Sequence, residues 1–227
     1  MKQIAVIGLG HGGLVAAMKL AEAGFSVTVF EQKGKDEVGY PWEDDIRRDI
    51  FQRIGISEPD PSLYNQKTRR CFIAPNLTPL PLPAGKPMED ISISRKGLLC
   101  HLIRLAEQAG VKILYHTRVE KLLLEKGRVC GIQTEREKVF ADLVIDASGF
   151  LSPFRGQIPG RFHMQAMPAR DDRMEVYRAI VEKTVGTETP DPARHYYIRH
   201  RGGAGISWCN VNNHEQVDLL VGRIGTL

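Results

Sequence analysis

The glycines Gly8, Gly10 and Gly13 in GLGHGG stand in the spacing G-x-G-x-x-G, directly after the β-branched run QIAVI, Gln3 to Ile7. No other part of the chain constrains the fold as strongly. A short apolar run of this kind reads as a buried strand. Leu14 to Ala23 is rich in Ala and Leu and reads as a helix, with Gly24 as its C-terminal stop. Phe25 to Phe30 reads as a second strand, and Glu31 follows it. Strand, glycine loop, helix, strand and acid together describe a right-handed βαβ unit.

The spacing has a chemical reason. Gly8 permits the tight turn out of the strand, Gly10 lets backbone approach a pyrophosphate, and Gly13 allows close contact between helix and strand. The helix N-terminus offers unpaired N–H groups and a partial positive charge to phosphates. Glu31 stands where a carboxylate accepts hydrogen bonds from ribose hydroxyls. It would repel a 2′-phosphate, which disfavours NADP. His11 occupies a variable position, where a solvated or locally bonded side chain is the plain reading and a phosphate contact the sharper one. A nicotinamide dinucleotide, a flavin dinucleotide or a glycine turn without ligand all remain open at this point.

Beyond Glu31 the regular pattern breaks. Gln32 to about Asp90 is long, irregular and proline-rich. Within it Arg70 to Ala74 and Leu80 to Leu82 read as a small hairpin, limited to sheet edges by the prolines. So long a segment usually lines a site or packs beneath one. Order returns with the strand at Ile91 and Ile93, then Arg95 and a helix over about Lys96 to Gln108. Val111 to Tyr115 reads as a strand. Val119 to Leu124, Val129 to Thr134 and Lys138 to Phe140 read as an antiparallel meander, and Leu143 to Asp146 as a further buried strand. Arg173 to Glu182 reads as a short helix. HYYIRH, GISWCNV and VDLLVGRI near the end read as antiparallel strands.

Composition excludes other classes. Lys and Arg number 31 against 27 Asp and Glu, and no basic run carries interleaved aromatics, so nucleic acid is not the expected partner. Cys71, Cys100, Cys130 and Cys209 are widely spaced, which fits free thiols in a reducing compartment. The N-terminus enters a strand at once, leaving no room for a signal peptide, and no apolar stretch is long enough to span a bilayer. The reading is a soluble cytoplasmic protein whose basic balance leaves room for peripheral membrane contact. No metal-ligand cluster and no Ser-His-Asp set is visible.

GLGHGG, Glu31, SRKGLL (94–99) and DASGFLSPFR (146–155) together resemble the FAD-dependent oxidoreductases that include geranylgeranyl reductases and aromatic hydroxylases. Ala147-Ser148-Gly149 is more similar to the geranylgeranyl reductase branch, since the hydroxylases carry Asp-Gly at that place. The resemblance implies an α/β chain: an FAD/NAD(P)-binding three-layer ββα Rossmann-like domain over 1–157, with an irregular insertion at 32–90, and a partial antiparallel β substrate domain over 158–227. It implies FAD as cofactor, bound by Gly8, Gly10, His11, Gly12, Gly13, Glu31, Gln32, Arg95, Val119, Ala147, Ser148 and Gly149. Arg95 would meet the phosphate or ribityl region, and Arg155 would brace the turn at Gly149.

The implied activity is flavin hydride transfer to carbon–carbon double bonds of an isoprenoid or other apolar small molecule. Electrons would come from a protein donor or transient NAD(P)H. A flavin monooxygenase and a non-catalytic nucleotide-binding fragment are the alternatives. Trp208 and Cys209 would line an apolar pocket or simply form sheet core, and Trp42 would cover the flavin or anchor its loop. The family's third flavin motif has no match before Leu227, so the chain reads as truncated and is expected to bind FAD weakly or incompletely. No catalytic residue is assigned.

Overall fold

The computed structural model describes residues 1–67, 70–80, 90–169, 172–184, 186, 188, 194–200, 203–211 and 216–224. In chain order its elements are β1 (Gln3–Ile7), α1 (His11–Glu22), β2 (Ser26–Phe30), β3 (Glu43–Arg47), α2 (Ile50–Arg53) and β4 (Tyr64–Gln66). Next come β5 (Cys71–Ile73), β6 (Pro79–Leu80), β7 (Asp90–Ser94), α3 (Arg95–Gln108) and β8 (Lys112–Leu114). The meander is β9 (Val119–Glu125), β10 (Arg128–Thr134) and β11 (Lys138–Phe140), followed by β12 (Leu143–Asp146). The last strands are β13 (Met174–Val181), β14 (Arg194–His200), β15 (Gly203–Val211) and β16 (Val217–Ile224). No described helix is long and apolar enough to cross a membrane.

The chain forms two compact units, each from two segments. Met1–Tyr40 joins Leu98–Met167, and Pro41–Gly97 joins Pro168–Leu227. The long stretch after Glu31 is therefore divided, its first residues belonging to the first unit and the rest to the second.

The first unit is built around β1. Its sheet runs β12-β1-β2-β8, and every neighbouring pair is parallel. Ile4 to Ile7 are all buried, as expected of a central strand covered on both faces. Helix α1 packs on β1 and β2 through Gly13, Leu14, Ala17 and Met18, one stripe at helical spacing. The helix stops where Gly24 turns left-handed, at φ +87°. The antiparallel meander β11-β10-β9 supplies the third layer. Val119, Leu122 and Ile132 from it share a core with Ala5, Ile7, Phe30 and Phe154. This is the FAD/NAD(P)-binding Rossmann-like arrangement that the sequence implied.

The second unit holds two sheets. One is antiparallel, β3-β7-β4. The other runs β13-β16-β15-β14-β5-β6, with β14 and β5 parallel and the other pairs antiparallel. The hairpin expected near Arg70 exists as β5 and β6; Leu82, the first residues of RGGAG and most of NNHEQ lie outside the described residues.

Arg173 to Glu182 is not a helix: Met174–Val181 is β13 and pairs with β16 residue by residue. Val176, Ala179 and Ile180 fit a helical stripe on paper, but the eight-residue ladder to β16 pairs the backbone groups on that side of the strand and outweighs the weak local preference.

Charge holds the second unit together at one buried point. The Arg178 guanidinium donates to Asp218 from Nε at 2.7 Å and from Nη2 at 2.5 Å, to Asp44 Oδ1 at 3.1 Å, and to the Glu43 carbonyl. Its side chain is only 8% exposed, and that of Asp218 is 1% exposed. Burial works against the charge, but the two carboxylates outweigh it and raise the Arg178 pKa. The guanidinium also lies 5.1 Å from the Trp42 ring centroid, so Trp42 is an anchor within this unit. Trp208 and His195 stack beside Phe72 and Tyr197 in an aromatic row, at centroid distances of 5.4 to 5.6 Å.

Candidate functional site

The glycine loop has the geometry its spacing demands. Gly8 adopts φ +97°, and a Cβ there would lie 2.5 Å from the Ala147 carbonyl oxygen. A Cβ on Gly13 would lie 2.4 Å from the Gly8 carbonyl oxygen and 3.1 Å from the Ala147 Cβ. Both sites exclude any larger residue, because backbone stands in the way. The loop, the first turn of α1 and the turn after β12 are thus pressed together. Gly10 is different. It is the N-cap of α1, with φ −70° and ψ 170°, and a Cβ there would meet nothing within 4 Å. Gly12 is exposed and equally open. His11 is the first helical residue and is half-buried.

No side chain caps α1, and its first turn contains no acid. The orphan N–H groups and the positive end of the helix are therefore left for an external anion.

Glu31 is pinned by backbone. Its Oε2 accepts the Leu9 N–H at 3.0 Å, and its Oε1 accepts the Lys33 N–H at 2.9 Å. Each carboxylate oxygen keeps further acceptor capacity. The carboxylate is tied directly to the glycine loop through Leu9.

At the end of β12, Asp146 organises the following turn. Its Oδ1 accepts the Ser148 N–H at 3.1 Å and the Ser148 hydroxyl at 2.6 Å, and its Oδ2 accepts the Ser152 hydroxyl. Ser152 Oγ in turn accepts the Phe154 N–H at 3.1 Å. Gly149 turns left-handed at φ +103° with open space where a side chain would be. The side-chain bonds that tie this turn come from Asp146 and Ser152, while Arg155 lies past them in a short 3-10 turn.

These pieces border one cleft of about 840 Å³. Gly8, Glu31, Gln32, Val119 and Ser148, all singled out from the sequence, line it. So do Leu151, Pro153 and Phe154 from the DASGFLSPFR segment, and Thr117, Arg118, Glu120 and Glu135, which had not been marked as site residues. The volume lies in the range of small-molecule sites, roughly 300–1,000 Å³. Ala147 contributes backbone to the loop contact. Arg95 belongs to the second unit, where its Nη1 donates to Asp44 Oδ2 at 2.7 Å.

The ADP half of a dinucleotide fits these residues on three structural counts: an uncapped helix N-terminus, an open Gly10, and a carboxylate with spare acceptors one loop away. A dinucleotide cofactor held here would carry the redox chemistry.

Comparison with known proteins agrees with this geometry. The chain is 28% identical over 201 residues to digeranylgeranylglycerophospholipid reductase 2 of Methanopyrus kandleri, covering 86% of this chain and 48% of that protein. It is 24% identical over 206 residues to notoamide E oxidase notB' of Aspergillus versicolor, covering 83% and 42%. A geranylgeranyl bacteriochlorophyll reductase-like protein from Thermoplasma acidophilum shares the fold, with a TM-score of 0.75, 22% identity, and coverage of 97% of this chain and 56% of that one. The chain thus spans about half the length of the relatives it matches. The family model of the pyridine nucleotide-disulphide oxidoreductases matches residues 2–186, which take in the glycine loop, Glu31 and the whole wall of the cleft. On that match, and on the fold that carries it, this chain belongs to the pyridine nucleotide-disulphide oxidoreductase family.

Proposed function

We propose that the protein is an FAD-dependent oxidoreductase that reduces carbon–carbon double bonds of an isoprenoid or other apolar substrate. The observation that carries the cofactor reading is the uncapped N-terminus of α1 beside a Glu31 carboxylate anchored by Leu9 and Lys33. Bound FAD would supply the hydride chemistry. The chain's own residues bind and orient it. The N–H groups of the first α1 turn hold the diphosphate, and Glu31 accepts the ribose hydroxyls. Ser148 and the open backbone at Gly149 border the cofactor's path. Leu151, Pro153 and Phe154 give that wall an apolar surface. In the second unit Asp44 holds the Arg95 guanidinium.

The substrate class rests on the likeness to digeranylgeranylglycerophospholipid reductase, whose name states a lipid substrate. A lipid substrate would bring the chain into peripheral membrane contact, and a protein donor or NAD(P)H would supply the electrons. Titration of the purified chain with FAD, read by flavin fluorescence and visible absorption, tests the cofactor. Saturable uptake is expected, and failure to take up FAD sinks the reading. Anaerobic reduction of a geranylgeranyl lipid by the reduced flavoprotein then tests the reaction.

The likeness to notoamide E oxidase favours a second reading, flavin-dependent oxygenation. Oxygen consumption coupled to substrate conversion, with no anaerobic alkene reduction, would select it.

A further inference from the structure

We infer that Arg118 is the residue that reads the base of the bound dinucleotide, its planar guanidinium lying against the adenine ring. The inference rests on the FAD reading above and deepens it.

Backbone geometry places Arg118 one step past the ribose-binding carboxylate. The Thr117 N–H donates to the Glu31 carbonyl oxygen at 2.8 Å, so the chain entering β9 is bonded edge to edge with the end of β2. A base attached to a ribose held by Glu31 leaves the glycine loop behind and extends toward Thr117 and Arg118. Val119, the next residue, turns into the core, while Arg118 is exposed and lines the cleft.

Arg118 is the only Lys or Arg among the residues lining the cleft, against Glu31, Glu120 and Glu135. Among the described residues no ion pair or hydrogen bond occupies its guanidinium. Its position is steered from two sides. The Glu135 N–H donates to the Arg118 carbonyl oxygen at 3.3 Å, which keeps the turn after β10 alongside. Thr134 Oγ1 accepts the N–H groups of Arg136 and Glu137, at 3.2 and 3.0 Å, and shapes that turn. Carboxylates on the cleft wall attract the guanidinium without pinning it. A base inserted between them and the apolar wall would gain a stacking partner, and a planar guanidinium stacks where an ammonium does not.

A function follows that the diphosphate contacts cannot supply. Those contacts treat any phosphorylated ligand alike. A base-stacking arginine distinguishes FAD and ADP from FMN and from inorganic pyrophosphate, which carry no adenine.

The test uses isothermal titration of the 227-residue chain and its Arg118→Ala and Arg118→Lys variants with ADP, FMN and pyrophosphate. Thermal midpoints serve as a folding control, and an exposed residue should leave them unchanged. The expected result is a loss of ADP affinity of about three- to tenfold in Arg118→Ala, with pyrophosphate and FMN binding unaltered and only partial recovery in Arg118→Lys. Unchanged ADP affinity in Arg118→Ala overturns the inference, as does full recovery by lysine, which would reduce the role to charge. Wild-type chain that binds no ADP at all overturns instead the cofactor reading on which the inference stands.

Discussion

Gly8→Ala and Gly10→Ala should separate the two jobs of the glycine loop. At Gly8 a methyl group faces two penalties. The backbone sits at φ +97°, a left-handed conformation that costs a β-carbon about 1–2 kcal/mol. The new Cβ would stand 2.5 Å from the Ala147 carbonyl oxygen, which is backbone and cannot rotate away. Relieving the overlap moves the loop off β12, an overpacking cost of about 1–3 kcal/mol. The sum, roughly 2–5 kcal/mol, is a large share of the 5–15 kcal/mol typical of a folded domain.

At Gly10 neither penalty applies. Its φ of −70° suits any residue, and nothing lies within 4 Å of the new methyl group. Stability should fall by less than about 1 kcal/mol, the usual difference between N-cap residues. The methyl group would, however, stand where a diphosphate approaches the helix N-terminus. Losing one charge-assisted hydrogen bond there costs about 1.5–3 kcal/mol, or at least tenfold in affinity. Urea unfolding measures the first effect and FAD or ADP titration the second. A Gly8→Ala chain as stable as wild type would refute the close approach of loop and β12 turn. A Gly10→Ala chain with undiminished FAD and ADP affinity would refute the diphosphate position.

Three further outcomes are expected. Asp218→Asn leaves the buried Arg178 short of its main carboxylate and should cost about 3–5 kcal/mol, whereas pairing Asp218→Leu with Arg178→Met should cost clearly less; equal losses in urea melts would contradict the buried ion-pair account. Phe154→Ala empties the core shared by Ile7, Phe30 and Leu122 and should cost about 3–5 kcal/mol, measured by urea unfolding, with a change under 1 kcal/mol counting against that packing. His195 is buried, and burial, helped by nearby Arg70, lowers its pKa below 6.5. Its folded pKa being depressed, stability is full above about pH 6.5 and falls as pH drops toward the folded value, by up to about 1.4 kcal/mol per pH unit. His195→Phe should flatten that slope in urea melts at several pH values; an unaltered slope would assign it to other groups.

The parts legible in the sequence were those whose signal is local. QIAVI, GLGHGG and FSVTVF lie within one βαβ unit, so their periodicity and glycine spacing already contained the strands, helix and loop. The meander was legible for the same reason, through alternation and short turns. β3 was not. Its sequence EDDIR offers no apolar alternation, and it is paired through Arg178, Arg70 and Lys67, residues distant in the chain. β13 was misread because a mixed strand at a sheet edge shares its spacing with a short helix, and only β16 decides between them. Arg118 carried no signal at all. A single exposed arginine before a strand is ordinary until its neighbour Thr117 is seen bonded to Glu31.

By itself the sequence determined the dinucleotide fold, the glycine loop and the acid at the end of the second strand, since hydrophobic period, glycine stereochemistry and helix-end charge act over a few residues. Tertiary structure alone decided which distant segments complete the cleft. Ala147 explains why Gly8 must be glycine, yet the two are separated by most of the first unit. Asp146, Ser152 and Phe154 set the far wall through a chain of hydrogen bonds, and the backbone bond from Thr117 to Glu31 brings Arg118 to the rim. Such contacts depend on strand order and register, which long-range backbone pairing selects and short-range composition does not record.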